Sequence, residues 1–91
     1  MRIGFIGAGN MASAIAGGII NSDFISASSI YLFDKNKEQY SKFNPNCKKL
    51  NSIECAFKEV DYVFLSVKPQ NIKDVLLEIK ELDYKNKIFV S

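Results

Sequence analysis

Histidine and tryptophan are missing from this 91-residue chain, and cysteine and proline occur only twice each. Without an imidazole there is no histidine general base, and a transition-metal site loses its commonest ligand. Cys47 and Cys55 fit neither the CxxC redox motif nor the spacing of zinc ligands, so both are expected reduced and partly buried, with no metal bound. An excess of one charge is lacking too. Twelve Lys and Arg stand against ten Asp and Glu, and only Lys35, Lys37 and Lys42 form a small group. That balance, with no aromatic-basic recognition motif, argues against a nucleic-acid partner. No apolar run has the length and continuity of a membrane-spanning helix. The opening residues read as a strand rather than a secretory signal, because Gly7 and Gly9 interrupt the apolar run and no basic stretch precedes it. The expectation is one small, soluble, cytoplasmic domain over residues 1–91.

What the chain does have is an informative junction. Ile3-Gly4-Phe5-Ile6 reads as a buried parallel strand, and Gly7-Ala8-Gly9-Asn10-Met11-Ala12 follows at once, matching G-x-G-x-x-A, the dinucleotide-binding fingerprint. Gly7 permits the tight turn out of the strand. Gly9 lets the backbone approach a pyrophosphate, and Ala12 lets the next helix pack closely on the sheet. That helix directs its N–H groups and positive dipole end at the phosphates. A second strand, Ile30-Tyr31-Leu32-Phe33, ends in Asp34, about twenty residues beyond the motif, where a ribose-binding carboxylate belongs.

Strand and helix signals alternate along the chain. A helix is expected from Asn10 to Asn21, with Gly17 and Gly18 inside it at a cost of about 1 kcal/mol each relative to alanine; a packing or ligand reason is therefore expected for them. Loop follows to Ser29, with Phe24-Ile25 docked on the core. After Asp34 a polar, lysine-bearing helix runs to about Phe43, then a turn at Asn44-Pro45-Asn46 and a weak strand at Cys47–Leu50. Ser52 caps a short helix. Tyr62–Val67 is a clear strand, entered through Asp61, and Pro69 opens another helix. In that helix Ile72, Val75, Leu76 and Ile79 mark one buried face. Lys87–Val90 is a last strand. The alternation predicts an α/β fold, a doubly wound parallel sheet of Rossmann type, with five strands in the order 3-2-1-4-5. The switch point between strands one and four then sets Gly7–Met11 opposite Ser66–Pro69.

Gly4-Phe5-Ile6-Gly7-Ala8-Gly9-Asn10-Met11-Ala12, Gly17-Gly18 and Asp61-Tyr62-Val63-Phe64-Leu65-Ser66-Val67-Lys68-Pro69 together resemble the amino-terminal domain of pyrroline-5-carboxylate reductases. The opening motif is shared with several dehydrogenases, whereas its combination with Val-Lys-Pro after the fourth strand is more specific. The resemblance covers the whole chain. It implies a domain that binds NAD(P)H in an enzyme reducing the imine of 1-pyrroline-5-carboxylate to proline. It also implies a helical carboxyl-terminal domain that dimerises and builds most of the substrate pocket. Nothing in these 91 residues corresponds to that domain, so the chain by itself is expected to be a cofactor-binding piece that is inactive alone. Family members often carry asparagine near the start of the third helix, where Ile53 stands here, and that contact is not carried over.

The expected cofactor-binding residues are Ile6, Gly7, Ala8, Gly9, Asn10 and Met11 around the pyrophosphate, Asp34 and Lys35 at the adenosine ribose, and Ser66, Val67, Lys68 and Pro69 on the nicotinamide side. Asn10 either donates through its side chain or caps the helix. Met11 is either core or cofactor wall. Asp34 favours NAD by repelling a 2′-phosphate, while Lys35 and the family's leaning favour NADP; NADP is the expected cofactor, with NAD as the alternative. No catalytic residue is assigned. Other readings are a deazaflavin-linked or β-hydroxyacid-type NADP oxidoreductase domain, and a non-catalytic NAD(P)-sensing module.

Overall fold

Every residue of the first strand, β1 (Ile3–Ile6), is buried, as a short apolar run covered on both faces requires. The computed structural model describes residues 1–54, 58, 60–67, 69–80 and 88–90, with only the backbone described at 69–72 and 88–90. The remaining strands among the described residues are β2 (Ile30–Phe33), β3 (Lys48–Lys49), β4 (Tyr62–Leu65) and β5 (Ile88–Val90), and the α-helices described from end to end are α1 (Asn10–Asn21) and α2 (Pro69–Lys80); Ile53, Glu54 and Lys58 are helical as well. All strand pairs are parallel. β1 is central: Ile3 stands beside Ile30 and Tyr62, and Ile6 beside Phe33 and Leu65. The order β3-β2-β1-β4 matches the sequence expectation, and Ile88–Val90 lies alongside β4, with Ile88 opposite Tyr62.

Alternation along β1 divides the core. Phe5 belongs to a cluster with Ala12 and Ala16 of α1 and with Ile30, Leu32, Phe43 and Cys47. Ile6 belongs to a second cluster with Val63, Val60 and Ile53, and with Val75 and Ile79 of α2. The two helices therefore serve opposite faces of the sheet. Phe5, fully buried, stacks on Phe64 with ring centroids 5.0 Å apart and meets Phe43 at 6.4 Å. The entry to β4 is clamped to the chain start, since Asp61 accepts from the Arg2 N–H at 3.0 Å and returns its own N–H to the Arg2 carbonyl at 2.9 Å. Among the described residues no helix is long and apolar enough to cross a membrane.

Several local expectations are corrected. The helix expected after Asp34 is a 3-10 turn over Lys37–Lys42. Asn36 caps it through its side chain, and i→i+3 bonds such as Phe43 N–H to Tyr40 carbonyl close it before an α-helical ladder begins. Of Phe24 and Ile25 only Ile25 is buried; Phe24 is exposed. In α2, Val75 and Ile79 are buried but Leu76 is exposed, because the buried stripe is an i, i+4 line narrower than the pattern suggested. Ile72's side chain and Cys55 lie outside the described residues. None of the described residues lies within 4 Å of a Cβ built at Gly17 or Gly18, so no packing neighbour among them accounts for either.

Candidate functional site

The turn from β1 into α1 is built by its two glycines in different ways. Gly7 adopts φ +96, and a Cβ there would stand 2.6 Å from the Ser66 carbonyl oxygen and 2.9 Å from the Val67 nitrogen. Both the conformation and the space demand glycine. The turn is pinned on either side, by the Gly7 N–H donating to the Phe33 carbonyl at 2.8 Å and the Ser66 N–H donating to the Ile6 carbonyl at 2.8 Å. The carboxyl ends of β1, β2 and β4 are thus tied together. Gly9 is the opposite case. It is the N-cap of α1, in extended conformation, with no side-chain cap on the helix, and a Cβ there would meet nothing within 4 Å among the described residues. The protein leaves this space open in front of a helix amino terminus, where an anion is favoured.

Asp34 closes the other side. Its Oδ2 accepts from the Ala8 N–H at 2.8 Å and its Oδ1 accepts from the Asn36 N–H at 2.8 Å. Its backbone is held by Tyr40, whose hydroxyl accepts from the Asp34 N–H at 3.0 Å and donates to the Asp34 carbonyl at 3.3 Å. An ionised carboxylate has about four lone-pair sites, so two backbone donors orient Asp34 and leave acceptor capacity for a ligand's hydroxyls. A cleft of about 380 Å³ runs past these groups.

Of the residues expected from the sequence, Ile6, Gly7, Gly9, Asp34, Lys35, Ser66 and Val67 line this one cleft. Ala8 does not: its side chain is fully buried in the α1-side core, and its N–H is given to Asp34. Asn10 and Met11 are the first residues of α1, exposed and outside the lining. The cap is Gly9, so Asn10 does not cap the helix. Met11 is 72% exposed, so it is not core; the buried line of α1 runs through Ala12 and Ala16, and Met11 falls beside it. Lys68 lies outside the described residues, and Pro69 opens α2 with its backbone alone described. Sequence reasoning missed Phe33, Asn36, Gln39, Asp74, Val75 and Glu78, which also line the cleft, and left Ile53 without a role. Asn36 had a signal, since Asp-Lys-Asn sets up the local side-chain-to-backbone turn that orders this loop; the α2 residues had none. Among the described residues no group of three or more potential ligands is placed to hold a metal ion.

An open glycine face before a helix, a fixed carboxylate at the end of the neighbouring strand and a continuous cleft between them fit an extended phosphorylated ligand. The comparisons agree. Residues 2–91 match the model of a family described as NADP oxidoreductase, coenzyme F420-dependent. The chain is similar to pyrroline-5-carboxylate reductases of Staphylococcus epidermidis, at 39% identity, and Staphylococcus aureus, at 42% identity. Each alignment takes in 100% of this chain but 35% of the relative, so the chain spans about a third of the length of the curated relatives it matches. Among solved structures it is similar to Plasmodium falciparum pyrroline carboxylate reductase with NADP bound, at TM-score 0.82 and 28% identity over 98% of this chain and 32% of that one. It is similar also to a pyrroline-5-carboxylate reductase from Coxiella burnetii, at TM-score 0.79 and 29% identity over 88% of this chain and 30% of that one.

Proposed function

The chain belongs to the family described as NADP oxidoreductase, coenzyme F420-dependent, and on that premise we propose that it is the NADP-binding domain of a pyrroline-5-carboxylate reductase. The observation that carries the reading is the open space over Gly9 facing a cleft that also holds Asp34, Ser66 and Val67. In this reading residues 1–91 form one doubly wound, five-stranded Rossmann unit. The pyrophosphate lies against the Gly9 backbone and the amino terminus of α1. Asp34 takes the adenosine ribose, with Lys35 beside it for the 2′-phosphate. Ser66 and Val67, with Lys68 and Pro69 following, receive the nicotinamide end. The bound nicotinamide supplies a hydride to the imine carbon of 1-pyrroline-5-carboxylate. This chain's own residues orient the cofactor; none is assigned a proton transfer. A cytoplasmic location and a homo-oligomeric full-length enzyme belong to the same reading.

The family description names a deazaflavin cofactor, which favours the second reading, a deazaflavin-linked NADP oxidoreductase. The relatives and structural neighbours named above are pyrroline carboxylate reductases, and they tip the choice. Titration calorimetry of the chain with NADP and NAD, beside an absorbance assay of 1-pyrroline-5-carboxylate reduction, tests the proposal. Dinucleotide binding without turnover is the expected result. Failure to bind either nucleotide refutes the cofactor site, and robust imine reduction by these 91 residues refutes the division of labour.

A further inference from the structure

One polar atom of the cleft is unaccounted for. The side-chain oxygen of Gln39, a residue of the cleft wall, is buried and has no hydrogen-bond partner. A buried acceptor left without a donor is costly to a folded protein, and it is the only such side-chain nitrogen or oxygen among the described residues. Gln39 sits in the Lys37–Lys42 turn, which Asn36 caps and Tyr40 ties back to Asp34. The amide is therefore carried on the same rigid loop as the carboxylate assigned to the ribose. The same cleft is lined by Ile53 and Val75, both buried apolar side chains from other parts of the chain. Asp74 and Glu78 line it as well, but they are exposed. Apolar walls with a single unsatisfied amide make a slot for a flat ring that carries hydrogen-bonding groups on its edge.

We propose that Gln39 reads the adenine base of the dinucleotide, its amide oxygen accepting from the 6-amino group and its NH₂ donating to ring atom N7, in the part of the cleft that Ile53 and Val75 also line. Adenine offers a donor and an acceptor side by side, and a glutamine amide matches both. The terminal torsion of glutamine is broad and roughly two-fold, so turning the amide toward the cleft needs no backbone movement. The inference rests on the dinucleotide reading above.

The test is calorimetry of the chain with NADP and with its deamino analogue, in which hypoxanthine replaces adenine and the 6-amino donor is gone. The unaltered chain binds the adenine form tighter by about fivefold, the worth of one neutral hydrogen bond. Gln39→Leu, checked for folding by its thermal melt, binds the two forms equally. Gln39→Glu keeps an acceptor and retains the adenine preference. Equal binding of both forms by the unaltered chain overturns the proposal, as does full discrimination in Gln39→Leu. A Gln39→Leu variant that changes the NADP-to-NAD ratio but keeps the base preference assigns the amide to the 2′-phosphate and also overturns it. Absence of binding to any dinucleotide removes the Proposed function itself, a result distinct from all of these.

Discussion

Replacing each fingerprint glycine by alanine separates folding from binding. At Gly7 the new methyl carbon meets the Ser66–Val67 peptide at 2.6–2.9 Å, in a residue at φ +96. The positive φ costs a non-glycine residue about 1–2 kcal/mol, and forcing backbone apart in a packed site costs about 1–3 kcal/mol. The sum, about 2–5 kcal/mol, is a large part of the about 5–15 kcal/mol that holds a domain folded. For a domain of this size it lowers Tm by at least about 8 °C. At Gly9 none of the described residues lies within 4 Å of the added methyl carbon. The small loss of cap preference there is offset by the reduced freedom of the unfolded chain, so Gly9→Ala changes stability by under about 0.5 kcal/mol. Its methyl group nevertheless fills the space the pyrophosphate needs, and NADP binding falls by at least about tenfold, or about 1.4 kcal/mol. Thermal melts and calorimetry on both variants read the two effects separately. A Gly7→Ala variant that melts with the parent, or a Gly9→Ala variant that binds NADP normally, refutes the reasoning.

Asp34→Ser removes the acceptor of two backbone N–H groups and costs about 1.5–3 kcal/mol in denaturant unfolding; it also raises the NADPH-to-NADH binding ratio by ending repulsion of the 2′-phosphate. Lys35→Glu moves that ratio the opposite way, more strongly at low salt, and a ratio unmoved by either change removes the ribose from the end of β2. Gly18→Ala, with open space at its Cβ, stabilises α1 by about 1 kcal/mol, seen as a higher urea midpoint. Burial pushes the Cys47 thiol above its ordinary value of 9.0, with Lys49 pulling it partly back. The unfolded thiol then ionises first as pH rises, so the unfolded chain holds fewer protons and stability falls from about pH 9 upward. Urea midpoints at about pH 8 and pH 10 show this loss, and Cys47→Ala shows less of it.

The parts of this molecule legible in the sequence depend on neighbours along the chain. Helix α1 over Asn10–Asn21 and strand β2 over Ile30–Phe33 fall where their apolar patterns place them. Gly7 takes the positive φ that a strand-to-helix reversal needs. The order β3-β2-β1-β4 follows from alternating elements and short connections. Asp34 was recognisable because its distance from the glycine motif is set by the length of one helix and two turns.

What only the tertiary structure decided are relations between residues far apart in sequence. Asp34 grips the Ala8 N–H across a separation of 26 positions, turning an expected pyrophosphate contact into a strut for the ribose side. Gln39 is an unremarkable polar residue of a surface turn until folding buries its oxygen without a partner and sets the residue in the wall of a cleft that Ile53 and Val75 also line. Leu76 shares the apolar character of Val75 yet stays exposed, because burial depends on which side of α2 meets the sheet. Local pattern states what a segment can form, by propensity and period. Which face is covered, and which polar atom is left waiting for a ligand, depends on the packing of elements that crossovers bring together, and no spacing within one segment encodes it.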